Sequence, residues 1–249
     1  MHRLVLIGAP RSGTTWLSKL IDANPSVQYI HEPDSVIYDA RVPPVFHDTT
    51  PSDELLASVR QYTESIYKVF TLKTLGVTPM FSKSYRSGRT HVTLNALLVI
   101  LRALEQLKQA RQFSRQYQLP EALTHAQEAP YSLVKSVIPG RARLFTLAAP
   151  EIKFFLVGRD PRGFVASQQE GARLGRMLLA NQIPFSQLTK SAEAKRRGMS
   201  EEGFRTLSLE AQMTWFWLML NEQIVKAAEQ PNAMLVSYDR FCLAPEELN

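Results

Sequence analysis

The chain has 249 residues, of which 45% are hydrophobic and 21% are charged. This length and composition exclude a disordered protein, a collagen and a small disulfide scaffold, and they favour one large domain over two small ones. Lys and Arg outnumber Asp and Glu by 29 to 23, a net charge of +6. Such a charge favours anionic ligands, but it does not distinguish nucleic acid from a phosphorylated cofactor or an acidic glycan.

The chain has one cysteine, Cys242, which excludes an internal disulfide and a cysteine-rich metal site. We therefore expect a reducing compartment and a cytoplasmic location, with Cys242 as a small buried hydrophobe. The sequence contains no apolar run of the ~18–20 residues that a membrane span needs. We therefore expect no membrane span. The sequence also has no signal-peptide pattern before the first predicted strand.

The first predicted element is the apolar run Arg3–Gly8, typical of a parallel strand buried on both faces. It leads through residues 9–13 into an amphipathic helix over Thr14–Ala23, which Asn24 and Pro25 end. The Pro- and Asp-rich stretch Pro33–Pro51 is predicted to be a surface excursion. A leucine stripe at helical spacing predicts a long helix with one face in the core, at Leu94, Leu97, Leu98, Leu101, Leu104 and Leu107.

Further strands and helices alternate along the chain. The strands are predicted at Val27–Ile30, Ser132–Lys135, Ile152–Val157 and Ala233–Val236, and the helices around Phe164–Arg173 and Leu207–Ala228. This order predicts right-handed crossovers and a three-layer α/β/α fold with a central parallel sheet. Ligands of such sheets bind at the carboxyl ends of the strands, and each motif described below falls at such an end.

Residues 8–15, GAPRSGTT, follow the first strand and open the first helix. This placement aims backbone N–H groups and the positive end of the helix at an anion. The spacing is that of a P-loop, which predicts a P-loop NTPase-like fold. Thr14, however, takes the place of the lysine that NTPases use on the β/γ-phosphates, so hydrolysis of ATP or GTP is disfavoured. Arg11 supplies a cation from within the loop instead.

Residues Pro10–Leu17 (PRSGTTWL) resemble the 5′-phosphosulfate loop of sulfotransferases that use 3′-phosphoadenosine-5′-phosphosulfate. The second signature of that family is an arginine at a strand end with a serine eight positions later, and the two hold the 3′-phosphate. Here these residues are Arg159 and Ser167. In family members a tryptophan at the position of Trp16 lies beside the adenine. The segment around Tyr238 resembles a weaker third signature.

The resemblance implies this nucleotide as donor, adenosine 3′,5′-bisphosphate as product, and a sulfuryl transfer that needs no metal. The nucleotide-binding residues that it implies are Arg11, Ser12, Gly13, Thr14, Thr15, Trp16, Arg159, Ser167 and Tyr238. Core packing is an equally good interpretation of Tyr238. Arg159-Asp160-Pro161-Arg162, taken alone, is equally typical of a capped helix start with an ion pair.

The catalytic residues that we expect are Arg11, Lys135 and Glu32. Arg11 is the first choice, and Lys135 the second, for the charge that develops on the leaving phosphate. Val137 stands where cytosolic sulfotransferases carry a histidine as general base, so that base is missing. Glu32 follows Arg11 by 21 residues, as the catalytic glutamate of tyrosylprotein sulfotransferases follows its arginine, and carbohydrate 6-O-sulfotransferases carry a similar Glu-Pro.

Two alternatives to Glu32 as the base remain open. Glu32 could instead be an ion-pair partner that orders the loop. His31 could be the base, but strand alternation points neighbouring side chains to opposite faces, so only one of the two should face the site. We prefer Glu32.

The sequence indicates the residues that bind the acceptor less clearly than those that bind the nucleotide. A basic region follows the second signature, at Arg173, Arg176, Lys190, Lys195, Arg196 and Arg197. We interpret this region as a solvated surface, and a binding site for an acidic glycan is the alternative.

The sequence therefore predicts a sulfotransferase that acts on a hydroxyl of a carbohydrate or small metabolite. The rivals are a P-loop kinase, against which Thr14 argues, and a non-catalytic anion-binding module. The sequence lacks a recognition helix for nucleic acid, so we expect no such partner. We expect residues 1–249 to form a single sulfotransferase domain. It is either shortened at its carboxyl end or closed over the 3′-phosphate by another segment than in cytosolic members.

Overall fold

A parallel β-sheet forms the centre of the protein. The structure, a computed structural model, describes residues 1–47, 50–106, 117–175 and 183–244. Within these ranges the sheet has five strands in the order β2-β3-β1-β4-β5, and all neighbours are parallel. The strands are β1 (His2–Gly8), β2 (Val27–His31), β3 (Tyr131–Ser136), β4 (Lys153–Gly158) and β5 (Ala233–Ser237).

Helices connect the strands, as parallel pairing requires. Those of the first half are α1 (Thr14–Asp22), α2 (Asp53–Ile66), α3 (Leu72–Leu75), α4 (Gly88–Gln106), α5 (Glu121–Thr124) and α6 (Ala142–Ala148). Those of the second half are α7 (Pro161–Arg173), α8 (Phe185–Leu188), α9 (Ala192–Arg196), α10 (Glu201–Thr206), α11 (Leu209–Ala228) and α12 (Tyr238–Leu243). Short 3₁₀ turns lie at Pro33–Ser35, Ala126–Glu128 and Pro139–Arg141.

The two faces of the sheet are covered by different helices, which gives three layers. Successive residues of a strand point to opposite faces, so Leu6 of β1 faces one layer while Val5 and Ile7 face the other. Leu6 packs in a cluster with Leu17 of α1. Val5 and Ile7 belong to a larger cluster with α2, α4, α6 and the end of α11. The predicted three-layer α/β/α fold with a central parallel sheet is confirmed, and β1, its loop and α1 form the strand–loop–helix unit of P-loop proteins.

The predicted strands and the long helices are all present, with ends that differ by a few residues. The prediction for Pro33–Pro51 is wrong in part, because Val42 and Phe46 are buried in the larger core cluster. These side chains lie in irregular backbone without a period that would reveal their burial. Within the leucine stripe, Leu94, Leu98 and Leu101 are buried, and Leu107 lies outside the described residues.

The sheet register brings the carboxyl ends of the strands to one edge. Gly8 at the end of β1 is paired with Val157 of β4, and His31 at the end of β2 is paired with Lys135 of β3. The segments that follow these strands therefore meet above the same edge, where parallel α/β sheets bind their ligands. No helix among the described residues combines the length and the apolar character needed to cross a lipid bilayer.

Candidate active site

The loop after β1 is closed by its own serine. The Ser12 amide and Oγ both donate to the carbonyl oxygen of Ala9, at 3.1 Å and 2.6 Å. Gly8 is required by close packing, because a Cβ there would lie 2.7 Å from Ser12 Oγ and 2.8 Å from the carbonyl oxygen of Val157. The loop is therefore a tight turn seated on the end of β4.

The N-terminus of α1 is left open at this loop. Gly13 is its N-cap, with a φ of 81° that disfavours any residue with a side chain, and it makes no side-chain capping bond. The amides of the first helical turn, which have no partner within a helix, therefore face the loop. Together with the helix dipole they favour an anion at this point. Thr14 is buried here, whereas Thr15 and Trp16 are exposed.

Arg159 and Ser167, the predicted second signature, both contact the loop. Arg159 Nη1 donates to the carbonyl oxygen of Arg11 at 2.6 Å, and Arg11 Nε donates to Ser167 Oγ at 3.0 Å. Arg11 has a φ of 70°, a left-handed backbone that is uncommon outside glycine. The side chain of Arg11 thus lies on the Arg159 side of the loop. Arg159 Nε is buried and has no hydrogen-bond partner among the described residues.

Two residues that the sequence analysis missed hold the backbone after β4. Trp217 Nε1 donates to the carbonyl oxygen of Arg159 at 2.9 Å. Asp239 accepts a hydrogen bond from the Asp160 amide at 2.6 Å. Trp217 comes from the middle of α11, and its spacing in the sequence gives no hint of this contact.

The capped-helix interpretation of residues 159–162 is confirmed for Asp160 and Arg162, and phosphate binding by Arg159 stays a prediction. Asp160 caps α7 by accepting from the Arg162 amide at 2.8 Å, and the Arg162 guanidinium returns to the same carboxylate at 3.0 Å. The side chain of Arg162 is 91% exposed. The Arg159 side chain, in contrast, lies over the loop. Arg159 and Arg162 therefore point in different directions from the start of α7.

Tyr238 lies over the loop. Its ring is so close to Gly13 that a Cβ there would come within 2.0 Å of it. The Arg159 guanidinium lies 5.0 Å from the ring centroid, and Trp16 meets the ring edge-on at 6.1 Å. Tyr238 also packs against the cluster around Leu6, so it takes part in both the loop and the core.

On the other side of the loop, Lys135 and Glu32 form an ion pair. Lys135 Nζ donates to Glu32 Oε1 at 2.5 Å, and the lysine side chain is only 2% exposed. Glu32 has a left-handed backbone with a φ of 45°. The Glu32 amide donates to the Lys135 carbonyl oxygen at 2.8 Å, and Ser35 Oγ donates to the Glu32 carbonyl oxygen at 2.5 Å. These bonds hold a strained residue, and such residues concentrate at functional sites.

The electrostatics of this pair keep Glu32 ionised. Burial alone would raise the pKa of Glu32, but the charge and the hydrogen bond of Lys135 outweigh it, so the pKa lies below its usual range. Burial lowers the pKa of Lys135, and Glu32 opposes that change. Asp34 is a second buried carboxyl group beside the pair, and burial raises its pKa. It accepts a hydrogen bond from Ser136.

His31 does not point away from Glu32 as strand alternation predicts. His31 Nε2 lies 3.5 Å from Glu32 Oε1. The prediction is wrong because Glu32 lies beyond the last residue of β2, and its left-handed backbone breaks the alternation. His31 Nδ1 lies 2.6 Å from the hydroxyl of Tyr29. Burial, followed by the charge of Lys135, lowers the pKa of His31 to about 4, so the ring is neutral at neutral pH.

Comparison with protein families identifies this arrangement. A model of the sulfotransferase domain matches residues 2–247, nearly the whole chain. The chain belongs to the sulfotransferase family. No curated protein matches it.

Two solved structures similar to this sulfotransferase domain are described as sulfotransferases. One is the crystal structure of a sulfotransferase from Alicyclobacillus acidocaldarius, with 13% identity, a TM-score of 0.43, and coverage of 100% of this chain and 77% of the other. The other is the sulfotransferase domain from the curacin biosynthetic pathway, with 16% identity, a TM-score of 0.42, and coverage of 99% and 71%.

The other expected residues of the sulfotransferase domain lie on its surface or outside the described ranges. In the basic region, Arg173 pairs with Glu170, and Arg196 and Arg197 pair with Glu193. Arg176 lies outside the described residues. Cys242 is an exposed free thiol, so its predicted burial is wrong.

Metal ligands do not cluster in the described part of the sulfotransferase domain. Across residues 1–47, 50–106, 117–175 and 183–244, no three His, Cys, Asp or Glu side chains converge as a metal site requires.

We predict that Gly13→Ala displaces Tyr238 from the loop, whereas Gly198→Ala serves as a matched control. Both glycines have a positive φ, 81° and 61°, so both substitutions strain the backbone by about 1–2 kcal/mol. Only Gly13 has a ring in the path of the new methyl group, since nothing lies within 4 Å at Gly198.

Urea unfolding and tryptophan fluorescence, compared in the two variants, test this prediction. A Trp16→Phe version of each variant separates the emission of Trp16 from that of Trp215 and Trp217. Gly13→Ala should lose more stability than Gly198→Ala and should change the emission of Trp16. Equal stability losses with unchanged emission would contradict the packing of Tyr238 on Gly13.

Proposed function

We propose that this sulfotransferase domain moves a sulfuryl group from 3′-phosphoadenosine-5′-phosphosulfate to a hydroxyl group of a carbohydrate or small metabolite. The observation that carries the proposal is the meeting of two anion sites over one sheet edge: the open N-terminus of α1, and the pair Arg159 and Ser167, which touch the loop at Arg11. A nucleotide with phosphates at both its 5′ and 3′ positions needs two such sites close together.

Features of the loop support the fit of this nucleotide. The glycine at position 8 keeps the loop free of a side chain on its β4 side, and Gly13 leaves the first amides of α1 uncapped. Arg159 Nε is buried without a described partner, and a buried charged donor of this kind calls for an acceptor such as a phosphate oxygen. Trp16 is 44% exposed beside Tyr238, which leaves an aromatic face for the adenine.

The nucleotide supplies the sulfuryl group, whose bond to the 5′-phosphate oxygen breaks as a new bond to the acceptor oxygen forms. Glu32 takes the proton of the acceptor hydroxyl. It is suited to this role because it is ionised and sits at the end of β2 next to the loop. A hydroxyl acceptor in a loose transition state loses its proton late, so a carboxylate of low pKa is basic enough.

Lys135 and Arg11 supply positive charge for the leaving phosphate. Lys135 is fixed, since its Nζ is buried against Glu32. Arg11 is exposed, and its guanidinium is hydrogen-bonded to Ser167. It therefore has to turn away from Ser167 to act on the 5′ side of the nucleotide. We propose that Arg11 contacts both phosphates of the nucleotide, one after the other.

A cavity lined by Ser35, three residues after Glu32, suits the acceptor. Its volume is about 560 Å³, within the range of small-molecule sites, and Ser35, Val36, Lys73 and Thr78 are among its lining residues. Ser35 Oγ is hydrogen-bonded to the Glu32 backbone, and the charge of Lys73 acts on Glu32. The acceptor hydroxyl would enter from this side, opposite Arg159.

Two further points belong to the proposal. We propose that residues 1–249 form one sulfotransferase domain, since the five described strands share one sheet and its largest hydrophobic cluster joins helices from both halves of the chain. We also propose a cytoplasmic site of action, because the one cysteine, Cys242, is an exposed free thiol.

Arg159→Ala should weaken binding of adenosine 3′,5′-bisphosphate by about 1.5–3 kcal/mol, the range for hydrogen bonds to a charged group. Arg162→Ala is the matched control, because Arg162 follows the same strand but points to solvent and pairs with Asp160. Titration calorimetry of both variants gives the comparison. An unchanged affinity in Arg159→Ala would remove Arg159 from the site.

Glu32→Gln should lower turnover by about 10²–10⁴-fold, the usual contribution of a general base. Binding of adenosine 3′,5′-bisphosphate should stay nearly unchanged, since Glu32 is proposed to meet the acceptor and not the nucleotide. Turnover is measured as a mass gain of one SO₃ unit on an acceptor found by screening.

Glu64→Gln is the control for Glu32→Gln. It also removes a carboxylate that pairs with a cation, Arg3, but it does so at the opposite end of the sheet. Full turnover in Glu32→Gln would rule out Glu32 as the base.

A further inference from the structure

A run of close polar contacts joins α1 to Glu32. It starts at Ser18 of α1, whose Oγ lies 3.0 Å from the carbonyl oxygen of Thr15 in the first turn and 2.9 Å from the Tyr29 hydroxyl oxygen, with one proton to donate. The Tyr29 hydroxyl lies 2.6 Å from His31 Nδ1, and His31 Nε2 lies 3.5 Å from Glu32 Oε1. Four side chains thus connect α1, β2 and the carboxylate.

The direction of these bonds follows from the chemistry of Tyr29. Burial raises the pKa of Tyr29, so its hydroxyl keeps its proton. Glu32 is ionised, so the ring nitrogen that faces it, Nε2, carries the proton. Nδ1 then accepts the Tyr29 proton, and Ser18 gives its one proton to the Tyr29 oxygen. A neutral imidazole that accepts at Nδ1 carries its proton on Nε2. The N–H of His31 therefore points toward Glu32.

The charges around His31 favour its neutral form. Lys135 on β3, Lys73 on α3 and Lys19 on α1 all disfavour a second proton on the ring, and only Glu32 favours it. A neutral ring with its proton on Nε2 has no free lone pair toward Glu32. His31 is therefore a donor to the carboxylate and cannot take a proton from it at that nitrogen.

We propose that His31 is a positioning residue of the sulfotransferase reaction, which Tyr29 holds in the Nε2–H form so that it donates to Glu32 Oε1. This proposal rests on the proposed role of Glu32 as the base. Lys135 and His31 then both bind Oε1, and Oε2, to which no described side chain donates, is left for the proton of the acceptor hydroxyl.

The distance of 3.5 Å is longer than a normal N–H···O bond of about 2.7–3.2 Å. Hydrogen bonds of catalytic groups are often long without substrate and shorten when it binds.

The test uses nitrogen-15 NMR of histidine and carbon-13 NMR of glutamate carboxyl groups in the full chain, and neither needs an acceptor. We expect His31 to show a protonated Nε2 and an unprotonated, hydrogen-bonded Nδ1. In His31→Leu, which removes the donor, the pKa of Glu32 should rise, because the carboxylate loses a bond that favours its charged form. In His31→Gln the amide N–H₂ can replace the Nε2–H, and the Glu32 pKa should stay near that of the wild type.

Tyr29→Phe gives a second route in case His31→Leu does not fold. It frees Nδ1, so part of the His31 population should move its proton to that nitrogen, and the pKa of Glu32 should rise. Tyr67→Phe is the matched control: it also removes a buried hydroxyl, one that donates to the Leu4 carbonyl oxygen at 3.0 Å, and it should leave His31 and Glu32 unchanged.

A protonated Nδ1 in the wild type, a cationic His31 at neutral pH, or the same Glu32 pKa in wild type and His31→Leu would overturn the proposal. Calorimetry with adenosine 3′,5′-bisphosphate separates this failure from failure of the proposed function. A protein with the expected His31 form that does not bind the nucleotide contradicts the proposed function alone, and the reverse result contradicts only the role of His31.

Discussion

The hydrogen bond from Arg159 to the carbonyl oxygen of Arg11 is the contact on which the site depends. It exists because β1 and β4 are neighbours in a parallel sheet, with Gly8 opposite Val157, so the segments after both strands begin at the same height. This bond is 2.6 Å long and holds Arg159 against the loop. In the proposed function, the loop holds one phosphate of the nucleotide, and Arg159 with Ser167 holds the other.

A second constraint acts on the other side of the loop, where β2 and β3 end together. The register of His31 with Lys135 brings Glu32 over the lysine, and the buried ion pair then holds the carboxylate in place. Removing one partner of a buried pair leaves an uncompensated charge. The pair therefore fixes the position of the carboxylate, and the loss of either partner would destabilise the fold. Arg11 and Glu32, one on each side, both have left-handed backbones, a strain that surrounding hydrogen bonds compensate.

Much of the fold could be predicted, because the five strands are short apolar runs with a helix-length pattern between them. The family resemblance singled out Arg159 and Ser167, and the structure places both beside the loop, while their binding of a phosphate stays a prediction. Three things could not be predicted. The left-handed turn at Glu32 is set by Ser35 and Lys135, which no local pattern reveals, so the alternation argument for His31 failed. Val42 and Phe46 are buried without periodicity, and Cys242 is exposed on α12, where a single cysteine gives no pattern that separates a buried position from an exposed one.

The central claim is that one site binds both phosphates of the nucleotide. Titration calorimetry with adenosine 3′,5′-bisphosphate and with adenosine 5′-monophosphate, at one ionic strength, tests it most directly. We expect the bisphosphate to bind at least about tenfold more tightly, because charged hydrogen bonds are worth about 1.5–3 kcal/mol. Equal affinity for the two nucleotides would contradict it, because the 3′-phosphate would then have no partner at Arg159 and Ser167.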